Sequence, residues 1–470
     1  MTGGSLPWGL LRFGTPLVVG MVLHTSFNLV DMFMISRVPG RGVATAALAA
    51  LGLCDMVTAV ATILSNGIST AAVAVISRQV GAGDRERVGR AVYTSLWLVG
   101  GLSVAFGLVG VFGSDFIVHD VMYAKGQVAD LAVPYLRVML GGCFSIFFLL
   151  QLTAVLRALG HAKSAAALLV GGNVVNLFLN VVFIYGTGPA PELLAWGRPV
   201  AAALGVPAMG LSGAAWATLI ARTVPVLVGL AVLAWGLTGT RLRWVYLRPD
   251  GRVLGALIRI GWPSSAQLVL RVGLALFIVA LVSAEYTTAA DPSALAAYSI
   301  CLRLETMALF IGMGWGAAAS AYVGANLGAG RRRRALHAGW VCAAYNFVAM
   351  VALALLYLAF ARQLVGFFDP RPEVVAIGRE YLDAVALSYA LLGIGLVLSQ
   401  AMTGAGATLS SLVLDAVVVL AVVAPLAYAV AVWLDADRVW LWRVLAGGNA
   451  LAALAYVAYY SRGRFLDKAV

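Results

Sequence analysis

Charge is scarce in this chain. Asp, Glu, Lys and Arg make up 11% of its 470 residues, where soluble domains carry about 25%. Hydrophobic residues reach 62% and the mean hydropathy is +0.95, which excludes a soluble domain and points to a polytopic membrane protein. Cysteine is scarce too. Cys54, Cys143, Cys301 and Cys342 all fall inside apolar runs at spacings that fit neither a zinc site nor a disulfide framework. No G-x-x-x-x-G-K-[ST] loop follows a strand pattern, and little chain lies outside the apolar runs. An ATP-driven pump is therefore not expected. No cleavable signal peptide is read, because the first apolar run, 13–36, is too long for one.

What is present is a duplication. Gln79–Ala91 (QVGAGDRERVGRA) returns 247 residues later as Asn326–Ala338 (NLGAGRRRRALHA). At the same offset Cys54 meets Cys301 and Gly67 meets Gly314; Arg12, Gly14 and Pro16 meet Arg259, Gly261 and Pro263. After Ala91 the offset drops to 246, so that Tyr135 meets Tyr381 and Gly160 meets Gly406. One membrane unit is written twice.

Twelve apolar runs are long enough to cross about 30 Å of hydrocarbon: 13–36, 46–76, 92–113, 130–156, 164–186, 209–236, 261–284, 294–323, 336–360, 376–402, 410–434 and 439–460. Six spans per half give both copies the same topology, a parallel repeat. This predicts an N-lobe over 1–240, a linker over 241–258 and a C-lobe over 259–470. The net charge of +12 reads as topology, not as nucleic-acid binding. Nineteen Lys and Arg fall on the side of the termini and the two GAG loops, and ten on the other. Both termini are expected in the cytoplasm. The GAG loops read as tight turns whose arginines meet anionic lipid heads. The loop 187–208, with four prolines, is expected outside.

Polar side chains inside the spans are the functional candidates. His24, Asn28 and Asp31 sit at i, i+4 and i+7, on one helical face. Asn173, Asn176 and Asn180 repeat the pattern, and Thr218 with Arg222 adds a third stripe. Together with Phe27 they outline a polar cavity whose one deep acid is Asp31. A carboxylate among neutral amides, away from bulk water, can take up and release a proton, and ionised it attracts an organic cation. The second half breaks the symmetry: Asp31 maps to Ile278, Asn28 to Ala275 and His24 to Arg271. Its polar candidates are Gln267, Arg271, Arg303, Glu305 and Asp383. Arg271 needs a partner, with Glu305 the first choice and Asp383 the second. Asp55 and Asp415 lie near the starts of their spans and carry less information.

Pro16, Asn28–Asp31 (NLVD), Ala47–Ala50, Gly67–Ser69 and the Q-x-GAGD loop resemble the multidrug and toxic compound extrusion (MATE) family. So do Pro263, Val323–Arg331, Gly404–Thr408 and, in span six, Gly210–Thr218. The resemblance covers essentially the whole chain. It implies an all-α membrane protein of twelve transmembrane helices in two parallel-repeat six-helix lobes forming a V. It implies a secondary exporter of amphipathic, cationic drugs by alternating access and antiport, and no enzyme or cofactor. Asp31 falls at the family's span-one cation-coupling aspartate, and Asn176 and Thr218 match neighbouring cavity positions. Asn180 stands where one branch has a second aspartate, and Arg271 where the sodium-linked branch carries a glutamate. These departures favour protons as the coupling ion. Sodium held by oxygens of Asp31, Asn176, Asn180 and Thr218 is the other choice. The resemblance places the chain in the plasma membrane, a bacterial inner membrane, working as a monomer on small organic cations. A flippase for a lipid-linked head group shares the architecture and is the alternative. An integral-membrane enzyme acting on prenyl diphosphates would want D-x-x-x-D or H-x-x-x-x-D spacings, and neither occurs.

Overall fold

A computed structural model describes residues 1–38, 43–236, 248–288 and 291–467, with the side chains of all of these except 24–29. The linker arginines Arg241 and Arg243, and the side chains of His24, Phe27 and Asn28, lie outside the described residues.

The first half runs through α1 (Leu6–Ser36), α2 (Val43–Ala82), α3 (Arg85–Phe116), α4 (Gly126–Gly141), α5 (Phe144–Ala158), α6 (Ala162–Asn180), α7 (Gly197–Leu204) and α8 (Gly210–Ala234). The second runs through α9 (Gly251–Glu285), α10 (Ser293–Gly328), α11 (Arg332–Ala359), α12 (Ala361–Phe368), α13 (Pro372–Val385), α14 (Ser388–Gly404), α15 (Thr408–Ala416), α16 (Ala424–Tyr428) and α17 (Arg438–Ser461). Among the described residues ten helices are long and apolar enough to cross a membrane. Two bent pairs, α4 with α5 at 41° and α13 with α14 at 56°, bring the number to twelve if each pair is one span. The chain is an all-α membrane protein.

The two breaks are repeats of each other, and neither is evident from hydropathy. At the first, Leu219 fills the space where a Gly142 side chain would go, so glycine is needed there. The turns repeat as well. Gly83 and Gly330 take φ of +76° and +73°, and Gly160 and Gly406 take +92° and +82°, the left-handed region that favours glycine. The predicted tight GAG turns are present. In the loop 187–208 a short helix, α7, is closed by Gly205 at φ +66°.

Packing gathers the chain into two compact units: Met1–Val22, Val73–Asp84 and Arg259–Val470 form one, and Leu23–Ala72 and Arg85–Ile258 the other. Each has its own core. One centres on Tyr298, Cys301, Tyr381 and Trp442, the other on Cys54, Tyr135, Phe147 and Tyr185. The duplicated cysteines do the same work in both. Cys54 Sγ faces the Ala132 carbonyl at 3.5 Å, and Cys301 Sγ faces that of Gly378, its repeat position, at 3.7 Å. All four cysteines are buried free thiols.

In the first of these units the end of α2 crosses α10 through glycines at repeat positions. A Cβ on Gly81 would land on the Ala325 carbonyl, one on Gly328 on the Arg78 carbonyl, and one on Gly324 on Ser77 Oγ. Small residues allow two membrane helices to approach backbone to backbone. The arginine run after this crossing has protein partners. Arg331 donates to the Thr2 carbonyl, Arg334 to the Gly3 and Gly4 carbonyls at 2.9 Å each, and Arg332 pairs with Asp467. Three of the four arginines of this run thus also contact residues near the two chain ends.

Candidate functional site

In the second unit three helices deliver polar groups to one point. Asp31 comes from α1, Asn176 and Asn180 from α6, and Thr218 from α8. Asn180 Nδ2 donates to Asp31 Oδ1 at 2.6 Å and lies 3.1 Å from Asn176 Oδ1. Asn176 lies 3.2 Å from Thr218 Oγ1. With its amide turned over, Asn176 presents nitrogen to both Asp31 oxygens, at 2.9 and 3.2 Å, and oxygen to Thr218. The helical spacing explains the cluster: Asn176 and Asn180 are one turn apart on one face. Both are buried, and Asn180 Oδ1 has no hydrogen-bond partner among the described residues. A buried amide oxygen left like this has room for one more hydrogen-bond donor. Tyr185 pins the next turn of α1 by donating to the Met34 carbonyl at 2.7 Å.

Arg222, one turn beyond Thr218, stands within electrostatic reach of Tyr135, Asp31 and Asp55. Asp55, passed over in the sequence, therefore belongs to the neighbourhood of the site. Asn173 is half-buried and is not among the groups bonded to Asp31. Elsewhere in this unit a polar chain joins α2, α5 and α3: Ser69 donates to Gln151 at 3.1 Å, and Gln151 to Ser95 at 2.8 Å. Such bonds between apolar helices act as glue.

In the other unit Gln267 and Arg271, one turn apart on α9, meet neither Glu305 nor Asp383. Arg271 Nε bonds Asp415 Oδ2 at 2.8 Å, which corrects the expected pairing. Gln267 Nε2 reaches Asp415 at 2.8 Å, and Ser399 and Tyr456 at 3.0 Å each. Tyr456 donates to the other Asp415 oxygen at 2.7 Å. Asp415 is 5% exposed, so it does not reach the interface as its sequence position suggested. Three helices, α9, α15 and α17, meet at this carboxylate, and α14 joins them through the Gln267–Ser399 bond. Glu305 accepts instead from Tyr381 at 3.0 Å. Asp383 faces its helix neighbour Arg379 at 3.5 Å, and Arg303 is exposed. Glu380, unmarked in the sequence reading, takes Arg438 at 3.0 Å and the Trp442 indole at 3.2 Å.

A repeated bundle of membrane helices with an intramembrane carboxylate held by amides is the build of a secondary transporter. The comparisons carry this to a family. The MatE family model matches residues 16–182 and 263–429, one copy in each half. The chain belongs to the MatE family, whose members are transporters, not enzymes. It is 24% identical over 415 residues to the probable multidrug resistance protein YpnP of Bacillus subtilis, covering 88% of this chain and 86% of that protein. It is 21% identical over 468 residues to the probable multidrug resistance protein NorM of Thermotoga maritima, covering 98% and 93%. Its fold is similar to that of a MATE protein crystallised in complex with MaL6, with a TM-score of 0.86 at 24% identity, covering 99% of this chain and 98% of that one.

Proposed function

We propose that this chain exports amphipathic organic cations by antiport, with alternating access, and that Asp31 couples the outward step to protons. The carrying observation is the set of groups around Asp31. Neutral amides surround the carboxylate, Asn180 at 2.6 Å and Asn176 one turn away on the same helix face, and an intramembrane carboxylate among neutral amides can exchange a proton for a substrate cation. Amide donors compensate a carboxylate that alternates between proton and substrate cation. The multidrug names of the relatives in Bacillus subtilis and Thermotoga maritima support drug-like substrates. The force suffices, since one charge moving through 100 mV gives about 2.3 kcal/mol. The arginine distribution supports a plasma-membrane protein with cytoplasmic termini, and one chain holding both repeats works as a monomer.

Purified protein in liposomes loaded with a fluorescent organic cation tests this. A pH gradient alone should drive efflux in the wild type and not in Asp31→Asn. Efflux driven only by sodium would transfer coupling to sodium at the same oxygens. Undiminished efflux in Asp31→Asn would remove Asp31 from the mechanism.

A further inference from the structure

At the end of the second half remote from its GAG turn lies a cavity of about 900 Å³, within the range of about 300–1,000 Å³ typical of small-molecule sites. It is independent of the Asp31 site. Three arginines line it from three different helices: Arg362 from α12, Arg379 from α13 and Arg443 from α17. Two carboxylates, Glu380 and Asp383, share the lining. Glu380 is already engaged by Arg438 and by the Trp442 indole. Asp383 pairs with Arg379 at 3.5 Å. Arg371, beside the mouth, is taken up by Asp369, which it bonds through Nε at 3.0 and 3.1 Å and through Nη2 at 2.6 Å. Those bonds hold the Asp369 carboxyl below its ordinary range. Among the lining residues three arginines thus stand against two carboxylates, and no ion pair among the described residues engages Arg362 or Arg443.

The surroundings say what kind of anion fits. The α12 helix buries Ala361 and Val365 and exposes Phe367 (84%). Phe360 precedes it in the chain and is exposed as well, as is Trp440, next to the lining residue Val439. Arg443 lies over the Trp440 ring at 4.7 Å. Exposed aromatic rings at the ends of membrane helices mark the level of lipid head groups, and guanidinium groups match phosphate oxygens. We infer that this arginine-lined cavity binds a phosphate oxyanion, that of the head group of an anionic phospholipid.

The test uses the purified full-length protein in detergent and measures binding of short-chain phosphatidylglycerol, short-chain phosphatidylcholine and inorganic phosphate by native mass spectrometry and thermal shift. Wild type should bind phosphatidylglycerol in preference to phosphatidylcholine. The Arg362→Gln/Arg443→Gln variant, which leaves the Arg438–Glu380 pair in place, should bind it about tenfold more weakly. Arg362→Lys/Arg443→Lys should recover most of the binding, which separates lost charge from lost folding. Equal binding by wild type and the glutamine variant would overturn the inference. Inorganic phosphate bound as tightly as the lipid, and lost in the glutamine variant, would overturn the lipid assignment and leave a free-phosphate site. An effect confined to the aromatic rim, unaltered by either arginine variant, would also overturn it.

Discussion

Asp415→Ala should be among the most damaging single changes in the second half. Its carboxylate is the shared acceptor for Arg271, Gln267 and Tyr456, and it is buried, while Arg271 keeps 29% of its side chain exposed. Removing one partner of a buried ion pair strands the other charge, at about 3–5 kcal/mol. The partial exposure of Arg271 lets some water reach it, so the lower end, about 3 kcal/mol, applies. Unfolding entropy of about 2.1 cal/mol/K per residue over 470 residues amounts to roughly 1 kcal/mol/K, so the Tm should fall by about 3 °C. Intrinsic tryptophan fluorescence of detergent-solubilised protein would follow the transition. The discriminating variant is the double one. Arg271→Met should destabilise by a similar amount, because it strands Asp415. Arg271→Met with Asp415→Leu leaves no orphan charge and should recover much of the loss. If the double variant loses the sum of the two singles, the pair is not coupled as described and the reasoning fails.

Two further outcomes follow from the packing. Gly328→Ala places a methyl group on the Arg78 backbone carbonyl at the α2–α10 crossing and should cost about 1–3 kcal/mol. Gly273→Ala, with nothing within 4 Å, should leave the Tm unchanged, and equal melting of the two variants would deny the close crossing. Asp467→Asn breaks a pair that is more than half exposed on both sides. It should change stability by less than about 0.5 kcal/mol, and a large drop in Tm would mean that the clasp on the chain ends bears more than its exposure suggests.

The parts of this molecule legible in its sequence are those written in periodicity. The duplicated GAG loops and Cys54/Cys301 revealed the repeat because both copies make the same turn and the same thiol contact. Twelve apolar runs revealed the spans, since hydrocarbon thickness fixes their length. Asp31, Asn176, Asn180 and Thr218 were legible because a polar stripe on an apolar helix has to face other protein. Pairings across the fold were not. Arg271 and Asp415 are 144 residues apart, and nothing local in either helix encodes which carboxylate α9 will meet. Asp415 looked peripheral because its depth was counted along the chain from a span boundary, whereas its burial is set by α9, α14 and α17. The helix breaks were invisible to hydropathy, which does not change across residues 141–144 or 385–388. The partners of Arg331, Arg332 and Arg334 were hidden for the same reason as that of Arg271: the chain ends carry no pattern.

The most direct measurement of the central claim is proton release on substrate binding. Purified protein in weakly buffered detergent near neutral pH would be titrated with an organic cation while pH is recorded. If substrate and proton exchange at Asp31, wild type should release up to about one proton per cation bound, and Asp31→Asn should release none. Substrate binding by the wild type with no proton release, or release undiminished in Asp31→Asn, would contradict proton coupling at this carboxylate.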